Sequence, residues 1–335
     1  MTCRIMEGEN TMTIVKRVLA ILVVLFALSA VFVAEAAMSD GDFLKLCATG
    51  TSEEITKALG EGANIGATSE DGDSALVIAA MYNEDPKAHE ALVKGGADLA
   101  ETSDSGRTLL MYAAENENPD VAAYFLNQGL DLNAKDEDGW TAAFYASFNK
   151  NPAVMEFFLR SGADAKARDN DDASLFMTAA SYGENPEVLK VLLNAGAELN
   201  AKDSDGLTAF MTAARDNEDA PEVLKVFLEA GVKVDERDRD GATAMMFAAA
   251  NANPEAVKIL AAAGGDVNVR DKWQVTPLMI AAQHNSGTDT PAALMELGAE
   301  VNAKDEDGET PLVYAERNEE NADMVDFLVK AGAKK

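Results

Sequence analysis

The sequence predicts an all-α solenoid of helix-turn-helix units joined by finger-like turns, and three recurrences predict it. A turn of the Asp-x-Asp-Gly kind places its glycine, or the residue standing for it, at Gly72, Gly106, Gly139, Asp172, Gly206, Gly241, Gln274 and Gly308, spaced 34, 33, 33, 34, 35, 33 and 34 residues apart. An Asn-Pro or Asp-Pro step follows within five of these units, at Asp85-Pro86, Asn118-Pro119, Asn151-Pro152, Asn185-Pro186 and Asn253-Pro254, while Pro221 follows Asp219-Ala220. In each of these six units a glycine stands ten residues past the proline: Gly96, Gly129, Gly162, Gly196, Gly231 and Gly264. Self-similarity at this period marks a stack of small units, none of which can hide its apolar face alone.

Each element has its own cause. In the finger, glycine supplies a positive φ angle and the aspartates bond nearby backbone N–H groups. A threonine then opens a short helix, as in Thr208 to Ala214 and Thr243 to Ala249, and the paired alanines at its end let neighbouring helices approach closely. The second helix starts where Asn or Asp accepts from the first free N–H groups and proline, which has no N–H, fits the first position. Glutamate follows at Glu187, Glu222 and Glu255, where the helix dipole favours negative charge. Val188, Val191 and Leu192 show the i, i+3, i+4 spacing of one buried stripe, and the closing glycine suits a left-handed cap.

The predicted organisation is a leader over residues 1–36 and a repeat domain over 37–335. That domain opens with a degenerate unit, about 39–69, with Leu44, Leu46, Ile55 and Leu59 as its stripe, and continues with units 1 to 8 over about 70–335. Asp323, Asp326 and Lys330 suit the polar outer face of a terminal unit. Unit 7 is irregular: Gln274 replaces the finger glycine and Pro291 lies only seven residues before Gly298, so its second helix is expected to start a turn late. This is either drift in an exposed loop or a functional feature.

These units resemble ankyrin repeats. The resemblance rests on Thr276-Pro277-Leu278 and Thr310-Pro311-Leu312, the paired alanines, endings such as Gly162-Ala163-Asp164 and Gly196-Ala197-Glu198, and the Asn-Ala-Lys-Asp link into the next finger. It covers Ser39 to Ala333. The histidine usual in that family after Thr-Pro-Leu is here Val77, Met111, Phe144, Met177, Met211, Met246, Met279 or Val313, so its hydrogen bond is expected to be lost and the turn to rely more on packing.

The resemblance implies a non-enzymatic module that binds a protein partner, without a cofactor, through a concave groove lined by finger tips and by late positions of the first helices. Carried onto this sequence, those positions include Tyr82, Trp140, Phe148, Tyr182, Arg215, Arg239, Trp273 and His284, together with Arg107, Glu115, Asn116, Asn149, Ser181, Asn251 and Asn318. Aromatics are only 6% of the chain, yet both tryptophans fall on fingers, which suits anchors of a binding surface and equally suits rings resting on the next finger. Tyr112, Tyr145, Phe247 and Tyr314 read as packing between units.

Net charge is −30, and residues 1–36, with three basic and three acidic residues, contribute none of it. Such a field repels nucleic acid and anionic lipid and favours a basic partner, although scattered acids also keep an apolar stack soluble. Lys16 and Arg17 precede a 16-residue run from Val18 to Val33 that is apolar except for Ser29, and Ala34-Glu35-Ala36 follows. This is the order of an export signal cleaved near Ala36, with translation from Met12 fitting it best, and the run is short for a spanning helix. The expectation is a monomer in the periplasm of a bacterium or secreted, free of the membrane after cleavage, the alternative being an anchor formed by an uncleaved signal.

Cys3 would leave with that signal, so Cys47 has no partner for a disulfide and reads as a core residue or, less simply, a reactive thiol. Catalysis has few players. The two histidines, His89 and His284, lie about six units apart, and neither a phosphate-cradling glycine loop nor a His/Cys set with zinc spacing occurs. A second function class, an acidic ligand- or cation-binding protein taking calcium at the fingers, meets the objection that the Asp-x-Asp-Gly turns lack the third alternating ligand and the later glutamate of calcium loops.

Overall fold

The computed structural model describes residues 38–217, 220–317 and 322–335. The signal-like segment, Cys3, Asp219 and Asn318 lie outside the described residues. The described residues form eighteen helices in nine pairs and no strand. The opening pair is α1 (Asp40–Thr49) and α2 (Ser52–Gly60). Units 1 to 4 contribute α3 (Ala75–Tyr82) and α4 (Pro86–Lys94), α5 (Leu109–Ala113) and α6 (Pro119–Asn127), α7 (Ala142–Ala146) and α8 (Pro152–Arg160), and α9 (Leu175–Tyr182) and α10 (Glu187–Asn194). Units 5 to 8 contribute α11 (Ala209–Asp216) and α12 (Ala220–Glu229), α13 (Ala244–Ala250) and α14 (Pro254–Ala262), α15 (Pro277–His284) and α16 (Asp289–Glu296), and α17 (Pro311–Glu316) and α18 (Ala322–Lys330).

Like helices stack on like: first helices pack on the first helices of adjacent units and second on second. The alanine pairs make this approach possible. Ala79 and Ala80, Ala113 and Ala114, Ala213 and Ala214, and Ala248 and Ala249 are all fully buried. The second helices add large side chains, with Phe125, Phe158 and Phe227 fully enclosed. Each enclosed phenylalanine contributes about 1.5–3 kcal/mol from leaving water. Cys47 is part of this core, where burial pushes its thiol up to about 12, so the thiolate needed for reactivity is suppressed.

The starts of the helices follow the sequence closely. Ser74, Ser174, Thr208 and Thr276 accept from the N–H of Val77, Met177, Met211 and Met279. Asp85, Asn118, Asn151 and Asn185 accept from the N–H two residues on. The finger position is left-handed even without glycine, with φ 66° at Asp172 and 65° at Gln274.

Two expectations are corrected. The turn that lacks histidine still has a hydrogen bond in two units, where the Met111 and Met279 sulfurs accept from the N–H of Thr108 and Thr276 at 3.3 and 3.4 Å. In unit 7 the second helix begins at Asp289, nine residues before Gly298 rather than the usual ten, so it starts one residue late and not a turn late. Pro291 sits at the third helical position, where an N–H has no partner inside the helix in any case.

Three ladders of polar contacts tie unit to unit. Asn83, Asn116, Asn149 and Asn217 are buried, and each donates its side-chain amide to two carbonyls of the preceding unit; for Asn149 these are Ala114 O at 3.0 Å and Asn116 O at 2.9 Å. The capping residues Asn118, Asn151 and Asn185 also reach back, to Glu84 O, Glu117 O and Lys150 O, each at 2.7 Å. Adjacent fingers join through backbone bonds such as Asn170 N to Asp138 O and Arg239 N to Asp205 O, both 3.0 Å. Placing Asn116, Asn149 and Ser181 on the exposed face is therefore wrong, since all three are buried.

Candidate binding groove

Each finger holds its shape by an aspartate turned inward on its own backbone. Asp203 Oδ1 accepts from the N–H of Asp205 at 2.9 Å and of Leu207 at 2.8 Å, and Asp136, Asp169, Asp238, Asp271 and Asp305 repeat the arrangement. In the first two fingers the Ser69 and Ser103 hydroxyls accept from the N–H four residues on instead. The turn's own amides thus account for these aspartates. Among the described residues no group of three or more His, Cys, Asp or Glu is arranged to hold a metal ion.

The finger presents the residue after its left-handed position towards the first helix, and the two sets of side chains form one face. In unit 2 the Arg107 guanidinium lies 4.2 Å from the Tyr112 ring centre and 4.1 Å from that of Tyr145, and it pairs with Glu115 at 2.6 Å. The Tyr145 hydroxyl donates to Asp136 at 2.6 Å, and burial, reinforced by that bond, pushes the phenol well above its usual range. In unit 8 Tyr314 donates to Asp305 at 2.8 Å, while Arg317 stands 4.9 Å from the Tyr314 ring and pairs with Glu309.

Between these units the face opens. A depression of about 340 Å³ is lined by Trp140, Ala173, Thr178, Ser181, Tyr182 and Arg215 and rimmed by Asp138, Asp169, Asp171, Asp203 and Asp216. Trp140 is partly buried: its ring stacks on Phe144 at 5.7 Å and meets Phe148 at 5.6 Å, and its N–H donates to Asp169 at 3.2 Å. Phe148 in turn reaches Tyr182 at 6.3 Å, and Tyr182 is 57% exposed. Arg215 is held by Asp216 through two bonds of 2.8 and 2.9 Å, which raise its pKa.

The structure therefore brings Trp140, Phe148, Tyr182 and Arg215 together in one place. Tyr82, Arg239, Trp273 and His284 are exposed but lie outside that depression; Trp273 is covered on one side by the Lys272 ammonium at 4.2 Å. Of the two histidines, His89 is buried against Tyr124 and Phe125, where burial holds its pKa below the ordinary value and Nδ1 meets Asp85 O at 3.0 Å. Sequence reasoning missed the asparagine ladder, although its signal was present: Asn83, Asn116, Asn149, Asn217, Asn251 and Asn285 recur at the period of the units.

Among the described residues, nine stacked helix pairs with a finger-and-helix face define a helical-repeat scaffold. The family profile described as ankyrin repeats (three copies) matches residues 44–136, 76–169, 176–271 and 246–335, and the chain belongs to the ankyrin repeat family. No curated protein matches the chain in sequence. Ankyrin repeats are protein–protein interaction modules, and proteins built from them are generally non-enzymatic scaffolds. Among the described residues no helix is long and apolar enough to cross a membrane.

Proposed function

We infer that this protein is a non-enzymatic module that captures a protein partner through the face made by its fingers and first helices, outside the cytoplasm. The observation that carries the reading is the depression at unit 4, where Trp140 and the exposed Tyr182 stand among five carboxylates. Exposed aromatic rings beside a concavity are the usual anchors of protein recognition. The excess of carboxylates favours a partner that is basic where it touches. Location rests on the basic pair, the apolar run and the small residues of 12–36, which fit a signal for export to the periplasm or exterior of a bacterium.

Tyr182 is the position to test, because Trp140 and Phe148 also support the stack. The native chain and Tyr182→Ala are used to capture proteins from a periplasmic or secreted fraction. The reading expects a protein held by the native chain and lost with the variant, at an unchanged melting temperature. An identical captured set with both chains contradicts it. Determining the N-terminus of the mature protein tests export: a start near Ala37 supports it and a retained Met1 or Met12 opposes it.

A further inference from the structure

The recognition face repeats three positions per unit: one on the finger, one on the first helix and one at or just past the end of that helix. In unit 2 they hold Arg107, Tyr112 and Glu115; in unit 3, Trp140, Tyr145 and Phe148; in unit 8, Glu309, Tyr314 and Arg317. Units 2 and 8 are the same device with the charges exchanged, since the cation comes from the finger in one and from just past the end of the first helix in the other. In both, a guanidinium lies on a tyrosine ring and is paired with a carboxylate. In unit 4 the same positions hold Ala173, Thr178 and Ser181, which are too small to fill the space, and the depression of about 340 Å³ is the result.

The walls of that space carry the same kinds of group from other positions, since Tyr112, Tyr145 and Glu115 around Arg107 correspond to Thr178, Thr212 and Ser181 here. Trp140 and Tyr182 supply aromatic surface, and five carboxylates stand against one cation, Arg215, whose charge Asp216 already answers. Asp203 contributes a further feature. In units 3 and 8 the second oxygen of the finger aspartate accepts from a tyrosine hydroxyl, but in unit 5 the tyrosine position is Thr212, so no phenol takes that oxygen of Asp203.

We propose that the depression at unit 4 is a socket for an arginine side chain carried by the protein partner, held there by aromatic surface and carboxylates as Arg107 is at unit 2. This rests on the reading of the face as a partner-binding surface. Arginine fits better than lysine because its flat guanidinium stacks on an aromatic ring while its forked N–H groups meet carboxylates two at a time, whereas an ammonium is a strongly hydrated point charge.

The test uses the full chain with Trp273→Phe, so that Trp140 is the remaining tryptophan, and three Gly/Ser peptides identical except for a central arginine, lysine or citrulline. The arginine peptide is expected to change Trp140 emission saturably, to bind at least tenfold more tightly than the lysine peptide, and to lose that binding with Ala173→Arg, which fills the socket from within. Asp203→Asn, a variant that leaves the socket open, is expected to weaken binding at least fivefold and keeps the test valid if Ala173→Arg lowers the melting temperature. Equal affinity for arginine and lysine, binding that survives both substitutions, or no emission change overturns the socket. A captured partner lost with Tyr182→Ala but held normally by Ala173→Arg and Asp203→Asn overturns the socket while leaving the binding face intact. A partner indifferent to all three overturns both.

Discussion

Units 2 and 4 are built on the same backbone and differ in what fills the column between the finger and the first helix. Unit 2 fills its column from within, with Arg107 held between Tyr112 and Tyr145 and answered by Glu115. Unit 4 leaves the column to Ala173, Thr178 and Ser181. The ties between units differ in the same place. Asn149 binds unit 3 to unit 2 through two buried bonds, but the matching position of unit 4 is Gly183, where a Cβ would come within 3.1 Å of Ser147 O and closer still to Ala179 O. The only described left-handed finger residues other than glycine are Asp172 in unit 4 and Gln274 in unit 7. A repeat protein can thus relax the stabilising features of one unit while its neighbours hold the register, and unit 4 is where this chain does so beside an open surface.

The largest effect should follow from cutting the ladder where it is intact. Asn149→Ala removes both donors from buried carbonyls and the acceptor of Asn151 N, and should destabilise the fold by about 3 kcal/mol in urea unfolding. A cost near zero would show that unit 3 is held no more firmly there than unit 4. Next, Tyr145→Phe leaves the buried Asp136 without its hydroxyl donor and should cost about 1.5 kcal/mol while preserving the ring that covers Arg107. Smaller, and opposite in sign, Gln274→Gly and Asp172→Gly should each stabilise by up to about 1 kcal/mol, with glutamine gaining more because aspartate tolerates the left-handed region better. A loss of stability at either position would mean that its side chain makes contacts worth more than the backbone strain. The smallest change is expected from Tyr182→Ala, whose exposed ring should alter melting by no more than about 0.5 kcal/mol.

Much of this architecture was legible because it is local. The left-handed fingers, the Asn-Pro starts and the closing glycines are decided within a few residues of one another, so the pattern identified even Asp172 and Gln274 as glycine-like positions. What joins the units was not legible in that way. The amides of Asn116 and Asn149 reach carbonyls 33 to 36 residues earlier, and a polar residue at the end of a short helix looks exposed until its neighbour is in place. The site was half readable for the same reason. Tyr182 and Arg215 both line the depression, but the space itself arises where small residues of unit 4 stand beside the larger ones of unit 3. The start of α16 was misjudged because proline was taken as the first helical residue, whereas the third position accepts it equally well.

Affinity for the captured partner, measured by titration calorimetry on the native chain and on Tyr182→Ala, tests the account most directly. At least a tenfold loss of affinity with an unchanged melting curve is the result that the open face at unit 4 predicts. Equal affinity of the two chains would show that this surface takes no part in recognition.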